Sequence, residues 1–235
     1  MEKGAFPIVT FVGAEHRSSG TETLSPHGPS LDKLADYLFR NRNIIGELKC
    51  LTADQTAAMN LKVEQLVRAW VQKNKKPPTQ EFLSIATAPA EIQTPWLNYL
   101  RTHVENFVRK ANRQIRSTKG LYGLPTAKGL LLVFNQSNPL HNNPKDFRQL
   151  LVSVLRKRKT SGERAFPHIH GAVYFPFETI KSHDQNMNFW TPLQLKTGPE
   201  EDAEPMRQFQ EDMQQAWYAY LHKTTGRTIR QFKGE

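Results

Sequence analysis

The chain has 235 residues, 38% of them hydrophobic, and a formal net charge of +10. This length fits one domain with additions or two small domains, and the hydrophobic share is enough for a real core. Cys50 is the only cysteine and no apolar run approaches about 20 residues, which excludes an intramolecular disulfide and a membrane-spanning helix. We therefore expect a protein of the reducing cytoplasm, with no membrane partner, that binds an anion; nucleic acid is the commonest such partner.

The predicted elements follow an α/β order. Residues 1–30 are rich in Gly, Ser, Pro and Thr and form an N-terminal extension in which 6–12 can be a strand. Two apolar, β-prone runs on either side of residues 40–43 predict a hairpin. Apolar periodicity then predicts helices at about 52–72, 95–117, 144–158 and 205–223, and strands at 130–134 and 169–175. This order predicts a mixed β-sheet flanked by helices.

The core of this fold is expected at residues 31–177, with a helical insertion at about 79–119. Residues 178–235 are expected to form a C-terminal loop and helix that pack on the core. The long helix of the insertion has a predicted buried face made of Leu97, Leu100, Val104, Phe107, Ala111 and Ile115.

Three charged residues interrupt the hairpin strands: Asp36, Glu47 and Lys49. If Asn41 and Arg42 form a two-residue turn, Asp36 faces Glu47 and Lys49 shares their side of the sheet. Opposed like charges are destabilising, and a divalent cation between the two carboxylates would reverse that cost. The pattern therefore predicts a metal site, although a one-residue slip of the turn would separate the faces.

This arrangement resembles the PD-(D/E)XK nuclease superfamily, whose fold is restriction-endonuclease-like. The family's motif is an Asp, a spacer and Glu/Asp-x-Lys on the next strand, followed by a helix and further strands. Here the motif is Asp36 followed by Glu47-Leu48-Lys49, and Ala35-Asp36 stands in place of Pro-Asp. The resemblance covers about residues 31–177 and implies a restriction-endonuclease-like core and metal-dependent hydrolysis of phosphodiester bonds, with DNA as the expected substrate, cut from within or from an end.

The resemblance also implies a role for each motif residue. Asp36, Glu47 and the backbone carbonyl of Leu48 would hold Mg²⁺ or Mn²⁺. Lys49 would orient the attacking water or stabilise the pentavalent transition state. Further candidates are weaker: Glu15 or Glu22 as an upstream acidic ligand, and Gln65 or Gln114 at a polar helix position.

Two basic clusters are the predicted phosphate contacts. The clusters are Arg109, Lys110, Arg113, Arg116 and Lys119 on the long helix, and Arg156, Lys157, Arg158 and Lys159 further on. No element that reads base sequence is evident, so we expect recognition of backbone or DNA shape, or a protein partner that supplies specificity. A homodimer would present two active sites to a duplex.

Two other functions fit parts of the sequence. His168-Ile169-His170 is typical of the metal pair of HUH endonucleases, and Tyr220 would then be the nucleophile; this leaves the hairpin charges unexplained. A simpler interpretation places both histidines at the exposed end of a core strand. The second alternative is a nucleic-acid-binding or assembly subunit without chemistry, in which the basic helix is the whole function. Cys50 alternates away from Lys49 and is expected to be a buried structural thiol.

Overall fold

A computed structural model describes residues 22–24, 33–51, 56–75, 87–135, 144–176 and 203–225. Its strands are β1 (Glu22–Thr23), β2 (Tyr37–Phe39), β3 (Ile44–Leu51), β4 (Lys128–Asn135) and β5 (Gly171–Pro176). Its helices are α1 (Thr56–Asn74), α2 (Ala90–Tyr122), α3 (Pro144–Leu155) and α4 (Ala203–Thr225). The strand expected at 6–12 and the candidate ligand Glu15 lie outside the described residues.

The five strands form one mixed sheet in the order β1-β2-β3-β4-β5. The β1–β2 and β2–β3 pairs are antiparallel, whereas β3–β4 and β4–β5 are parallel. Parallel neighbours need a crossover connection, which α1 and α2 provide before β4 and α3 provides before β5. The predicted α/β class, a mixed sheet flanked by helices, is confirmed.

The turn between β2 and β3 fixes the register of the hairpin. Its two central residues, Asn41 and Arg42, have φ angles of 51° and 69°. Positive φ at both central residues is the conformation of a type I′ turn, whose twist matches that of the flanking strands. Leu38 consequently pairs with Ile45, as predicted from the two-residue turn.

Each face of the sheet buries its own cluster of apolar side chains. On one face Ile45 and Leu131 belong to a cluster that includes α2 and α3 residues such as Ile115 and Phe147. On the other face, residues of β2 and β4 pack against α4, for example Phe39 with Phe209 at a ring-centroid distance of 5.1 Å. The residues at 130–134 are fully buried, which confirms a strand covered on both faces.

The long helix α2 differs from its prediction at its N-terminal end. It begins five residues before Pro95, which its second turn accommodates, and it ends at Gly123 with a left-handed φ of 62°. Leu97 was predicted to be buried, but it is 51% exposed. At this end the buried residues Ile92 and Trp96 are four apart, and Leu97 is turned about 100° from Trp96, away from that buried strip.

Helix α1 has no buried residue, and its predicted apolar face is only half-buried.

Cys50 is exposed, so the expectation of a buried thiol was wrong. Among the described residues, none of the helices combines the length and the apolar composition needed to cross a membrane.

Candidate active site

At one end of the hairpin, beyond the last paired residue of β2, the Asp36 carboxylate bonds the backbone of β3. The paired register of β2 stops at Tyr37, which lies opposite Gly46, so β3 continues beyond its partner. Asp36 lies just before the first paired residue of β2, and its backbone N–H donates to the Gly46 carbonyl oxygen of β3 at 3.1 Å. Its side chain then accepts the next free amide of β3, since the Leu48 N–H donates to Asp36 Oδ2 at 2.8 Å.

Glu47 and Lys49 point from β3 towards α2, on the side of the sheet where Ile45 is buried. The Lys49 ammonium forms an ion pair with Glu47 Oε1 and also donates to Gln114 Oε1 of α2 at 2.7 Å. The charges of Asp36 and Lys49 both act on Glu47. The structure thus brings the three charged residues of the hairpin together.

Glu47 is held in an unfavourable electrostatic setting. Its side chain is 1% exposed, and Oε2 has no hydrogen-bond partner within the described part of the chain. Burial, followed by the charge of Asp36, raises the pKa of Glu47 from its ordinary 4.5 to about 8, against the lowering effect of Lys49. Glu47 therefore keeps its proton to a higher pH than an ordinary carboxyl group, and its contact with Lys49 becomes a full ion pair only as Glu47 ionises.

The pKa of Asp36 is also raised, chiefly by burial. The Leu48 N–H and the charge of Lys49 oppose this shift only in part. The two carboxyl groups titrate as a coupled pair. In this form of the protein, the pair carries fewer than two negative charges at neutral pH.

Helix α2 holds the segment that leads into Asp36. Gln114 Nε2 donates to the Leu34 carbonyl oxygen at 2.9 Å, which orients the amide so that its oxygen faces Lys49. The Thr118 hydroxyl accepts the Ala35 N–H at 2.8 Å. Gln114 was a weak candidate from the sequence, and Thr118 was missed, because a threonine within a helix carries no signal for a contact so far along the chain.

The oxygens left open by these contacts can bind a hard cation. Asp36 Oδ2 accepts the Leu48 N–H, the Asp36 carboxyl group also interacts with that of Glu47, and Glu47 Oε2 has no hydrogen-bond partner among the described residues. The Leu48 carbonyl lies along the same strand edge as its N–H, hence on the side of Asp36. Among the described residues, no three or more Asp, Glu, His or Cys side chains are grouped so that they could hold a metal ion together. Two carboxylates with waters suit Mg²⁺, which rarely takes an all-protein cage.

Glu22 and Gln65, the other candidates that the structure describes, do not reach the carboxyl pair. The Glu22 carboxylate pairs with Arg42 through two contacts of 2.8 and 2.9 Å. Gln65 is an exposed residue of α1. Within the described ranges, the candidate metal site therefore rests on the Asp36–Glu47 pair.

No protein-family model, curated protein or solved structure matches this chain. The chemistry of the site therefore follows from its own residues and their contacts.

The two predicted basic clusters meet on one surface. Glu105 of α2 accepts from Arg109 at 2.7 Å and from Lys157 at 2.9 Å, so a single carboxylate links the clusters. Five other members are exposed and form no ion pair within the part of the chain that is described: Lys110, Arg113, Arg116, Arg156 and Arg158.

The part of this basic surface around Glu105 lies on a different flank of α2 from the carboxyl pair. Asn112 bonds the His168 backbone N–H at 3.0 Å, and Gln114 bonds Lys49. Side chains two positions apart on an α-helix point in directions about 200° apart, so the contacts of Asn112 and Gln114 define opposite flanks. Glu105, with Lys157, lies seven residues before Asn112 and shares its flank.

The histidine pair has a structural environment. His170 Nδ1 lies 3.0 Å from the Gly129 backbone nitrogen and 3.1 Å from the His168 carbonyl oxygen, so the backbone on both sides holds the ring in place. Burial and the charges of Lys119, Lys128 and Arg164 lower the pKa of His170 to about 4. Both histidines are half-buried before β5, beside α2, whereas the helix that carries Tyr220 covers the opposite face of the sheet. The described side chains of α4, up to Tyr218, thus lie across the sheet from the two histidines.

Proposed function

We propose that this protein is a metal-dependent nuclease that hydrolyses phosphodiester bonds of nucleic acid, with DNA as the substrate and Mg²⁺ or Mn²⁺ as the cofactor. The observation that carries the proposal is the buried, unpartnered Oε2 of Glu47 beside Asp36. Burying an unsatisfied carboxyl group costs folding free energy. A hairpin selected for stability alone gains nothing from it, whereas a cation between the carboxyl groups offsets the cost.

The order of elements supports the same proposal. Asp36 precedes β2, Glu47-Leu48-Lys49 lies on the adjacent antiparallel strand, and helices and parallel strands follow. This is the order of the PD-(D/E)XK motif that the sequence resembles. We therefore include in the proposal a restriction-endonuclease-like core at about residues 31–177. The proposal further includes either two copies of this chain that act on a duplex or a protein partner that supplies sequence specificity.

Each residue of the site has a role that its contacts support. When bound, the metal neutralises charge on the scissile phosphate and lowers the pKa of a bound water. Asp36, Glu47 and the Leu48 carbonyl would be its ligands. The Lys49 ammonium has three N–H groups, of which Glu47 and Gln114 take two. The third is free to donate to a phosphate oxygen or to the attacking water.

Phosphate contacts by the basic surface would bring the substrate over α2. The surface and the carboxyl pair are separated by the width of this helix, about 10 Å. Lys110 lies one turn before Gln114 and is the basic residue on the flank of the carboxyl pair. If six to ten phosphates are contacted, affinity falls roughly 10³–10⁵-fold between 50 and 200 mM salt.

The test is a cleavage assay on DNA and RNA substrates with Mg²⁺, Mn²⁺ or chelator. We expect divalent-dependent cleavage that is lost in Glu47→Ala and Lys49→Ala. Glu163→Ala, which removes an exposed carboxylate, is the matched control and should keep activity. Tyr220→Phe should also remain active.

Three outcomes would contradict the proposal. Undiminished cleavage by a folded Glu47→Ala protein removes the carboxyl pair from the chemistry. Loss of activity only in Tyr220→Phe, with a covalent protein–DNA adduct in the wild type, transfers the chemistry to the histidine pair. No cleavage under any metal condition, with wild-type nucleic-acid binding by Glu47→Ala, favours a non-catalytic binding subunit.

A further inference from the structure

The connection between α3 and β5 contains a short antiparallel hairpin at residues 157–165, called here the basic hairpin. The Lys159 N–H donates to the Glu163 carbonyl oxygen at 2.8 Å, and a second backbone bond of 2.9 Å joins the ends of the two arms. In the turn between the arms, Gly162 has the left-handed φ of 83° that the last residue of such a turn requires. Helix-to-strand connections usually take about two to six residues, so the crossover itself does not need this hairpin.

The basic hairpin is fixed at its base and exposed at its tip. Lys157 forms an ion pair with Glu105 of α2 at 2.9 Å, and Phe166, directly after the hairpin, is buried. Residues 158–163 are all exposed. Three extended residues span about 10 Å, which is the length of an arm from base to turn. The hairpin therefore projects from the basic surface at a fixed place.

Two arginines face each other across the arms of the basic hairpin. Arg158 and Arg164 are direct partners, and the hydrogen-bonded pairs on either side put them where facing side chains come closest. Opposed like charges destabilise such a pair. Arg158 donates to the Gly162 carbonyl oxygen at 2.7 Å, and Arg164 to that of Ile169 at 2.6 Å. Neither arginine forms an ion pair within the described ranges, so an anion from outside the chain would offset the repulsion.

We propose that the basic hairpin enters the major groove of a DNA duplex, which makes double-stranded DNA the substrate class of this protein. That the ligand is nucleic acid rests on the proposed function, but no residue of the hairpin takes part in the cleavage chemistry. The major groove of B-form DNA is about 12 Å wide and about 8.5 Å deep, and it admits a two-stranded β-ribbon. An arm of about 10 Å reaches the base edges there, whereas the major groove of an RNA duplex is too narrow for it.

Each part of the basic hairpin would meet a different part of the duplex. Thr160 and Ser161 form the tip, and their short hydroxyl side chains can contact base edges. Arg158 and Arg164 lie further back along the arms, where the walls of the groove carry phosphates. Phosphate oxygens would then supply the negative charge that the two facing guanidinium groups lack.

The test compares one labelled sequence as duplex DNA, single-stranded DNA and duplex RNA, by fluorescence anisotropy in chelator so that no cleavage occurs. Gly162→Val distorts the turn without changing charge, because a β-branched residue strongly disfavours a φ of 83°. It should raise Kd for duplex DNA at least about fivefold, the low end of one base contact, and leave the other two ligands unaffected. Gly123→Val is the matched control, since Gly123 also has a left-handed φ and open space beside it, and should change Kd far less.

A charge variant gives an independent readout. Lys159→Gln and Arg68→Gln each remove the cation of an exposed ion pair between residues four positions apart, and each frees one carboxylate. Lys159→Gln should lower the slope of log Kd against log salt concentration on duplex DNA by about one. Arg68→Gln, which lies on α1, should leave that slope unchanged.

Modified DNA tests entry into the groove itself. Glucosyl groups on C5 of cytosine project into the major groove and should weaken binding by wild type, but not weaken binding by Gly162→Val further. Unchanged wild-type affinity for this duplex, or equal losses by Gly162→Val on duplex and single strand, would overturn the groove contact. Gly162→Val and Lys159→Gln proteins that bind duplex DNA like their controls would refute any role of the hairpin in binding.

Glu47→Ala separates this proposal from the nuclease. It should abolish cleavage and leave the effect of Gly162→Val on duplex binding intact. Cleavage absent in every protein, with that effect intact, would contradict the nuclease alone. Equal cleavage of limiting duplex by wild type and Gly162→Val would contradict the groove contact alone.

Discussion

Without metal, the Glu47→Gln variant should be more stable than wild type, by an amount that grows as pH rises. The amide has the shape of the carboxyl group but cannot ionise. In the folded protein the pKa of Glu47 is raised from 4.5 to about 8 by burial and by Asp36. Between these values the folded state keeps a proton that the unfolded state has released. The contribution of Glu47 to wild-type stability is therefore fully present below pH 4.5 and is lost as pH rises through about 8.

The size of this effect follows from the linkage relation. One proton retained only in the folded state changes the free energy of unfolding by at most about 1.4 kcal/mol per pH unit. The pKa of Asp36 is raised in the same direction, and coupling within the pair spreads the titration over a wider range. We expect a loss of a few kcal/mol from pH 5 to pH 8, a large part of the roughly 5–15 kcal/mol of a typical domain.

The assay is urea unfolding at pH 5, 6, 7 and 8 in chelator, for wild type, Glu47→Gln and Glu163→Gln. Titrations elsewhere in the protein are common to all three and cancel in the comparison. The free energy of unfolding of Glu47→Gln should exceed that of wild type by an amount that grows with pH, whereas the exposed-site control should follow wild type. Parallel curves for wild type and Glu47→Gln would refute the raised pKa of Glu47.

Three further predictions concern α2. Gln114→Ala removes one of the two hydrogen bonds that hold Lys49, so kcat should fall by roughly tenfold or more with KM little changed, measured by steady-state cleavage. Thr118→Val leaves a buried backbone N–H without its acceptor, which should lower the free energy of unfolding by about 1–3 kcal/mol in urea titrations. Charge reversal at Arg113 and Arg116 should flatten the salt dependence of nucleic-acid affinity, and an unchanged slope would remove these residues from the interface.

The hairpin was the part of the fold that local rules could predict. Its two-residue turn fixes which residues face each other, and the apolar run at 130–134 is too uniform for a strand with an exposed face. The proximity of Asp36, Glu47 and Lys49 follows from strand alternation once that register is set.

The remainder depends on contacts that no local pattern encodes. Gln114 reaches Lys49 across 65 residues, and Thr118 reaches Ala35 across 83. The opposite flanks of α2 likewise appear only when the helix is placed between the hairpin and the segment before β5. Leu97 was misplaced because the buried strip at the start of α2 passes through Ile92 and Trp96, four residues apart, and Leu97 is turned about 100° from it. The start of α2 was also predicted five residues too late.

The central claim, that Asp36 and Glu47 are paired to hold a divalent cation, is tested most directly by Mn²⁺ binding to the free protein, followed by titration calorimetry. Wild type and Glu163→Gln should each bind a single ion, and Asp36→Asn and Glu47→Gln should lose that binding while remaining folded. Equal binding by all four proteins, or no binding by wild type at the Mn²⁺ concentrations used for cleavage, would contradict the claim.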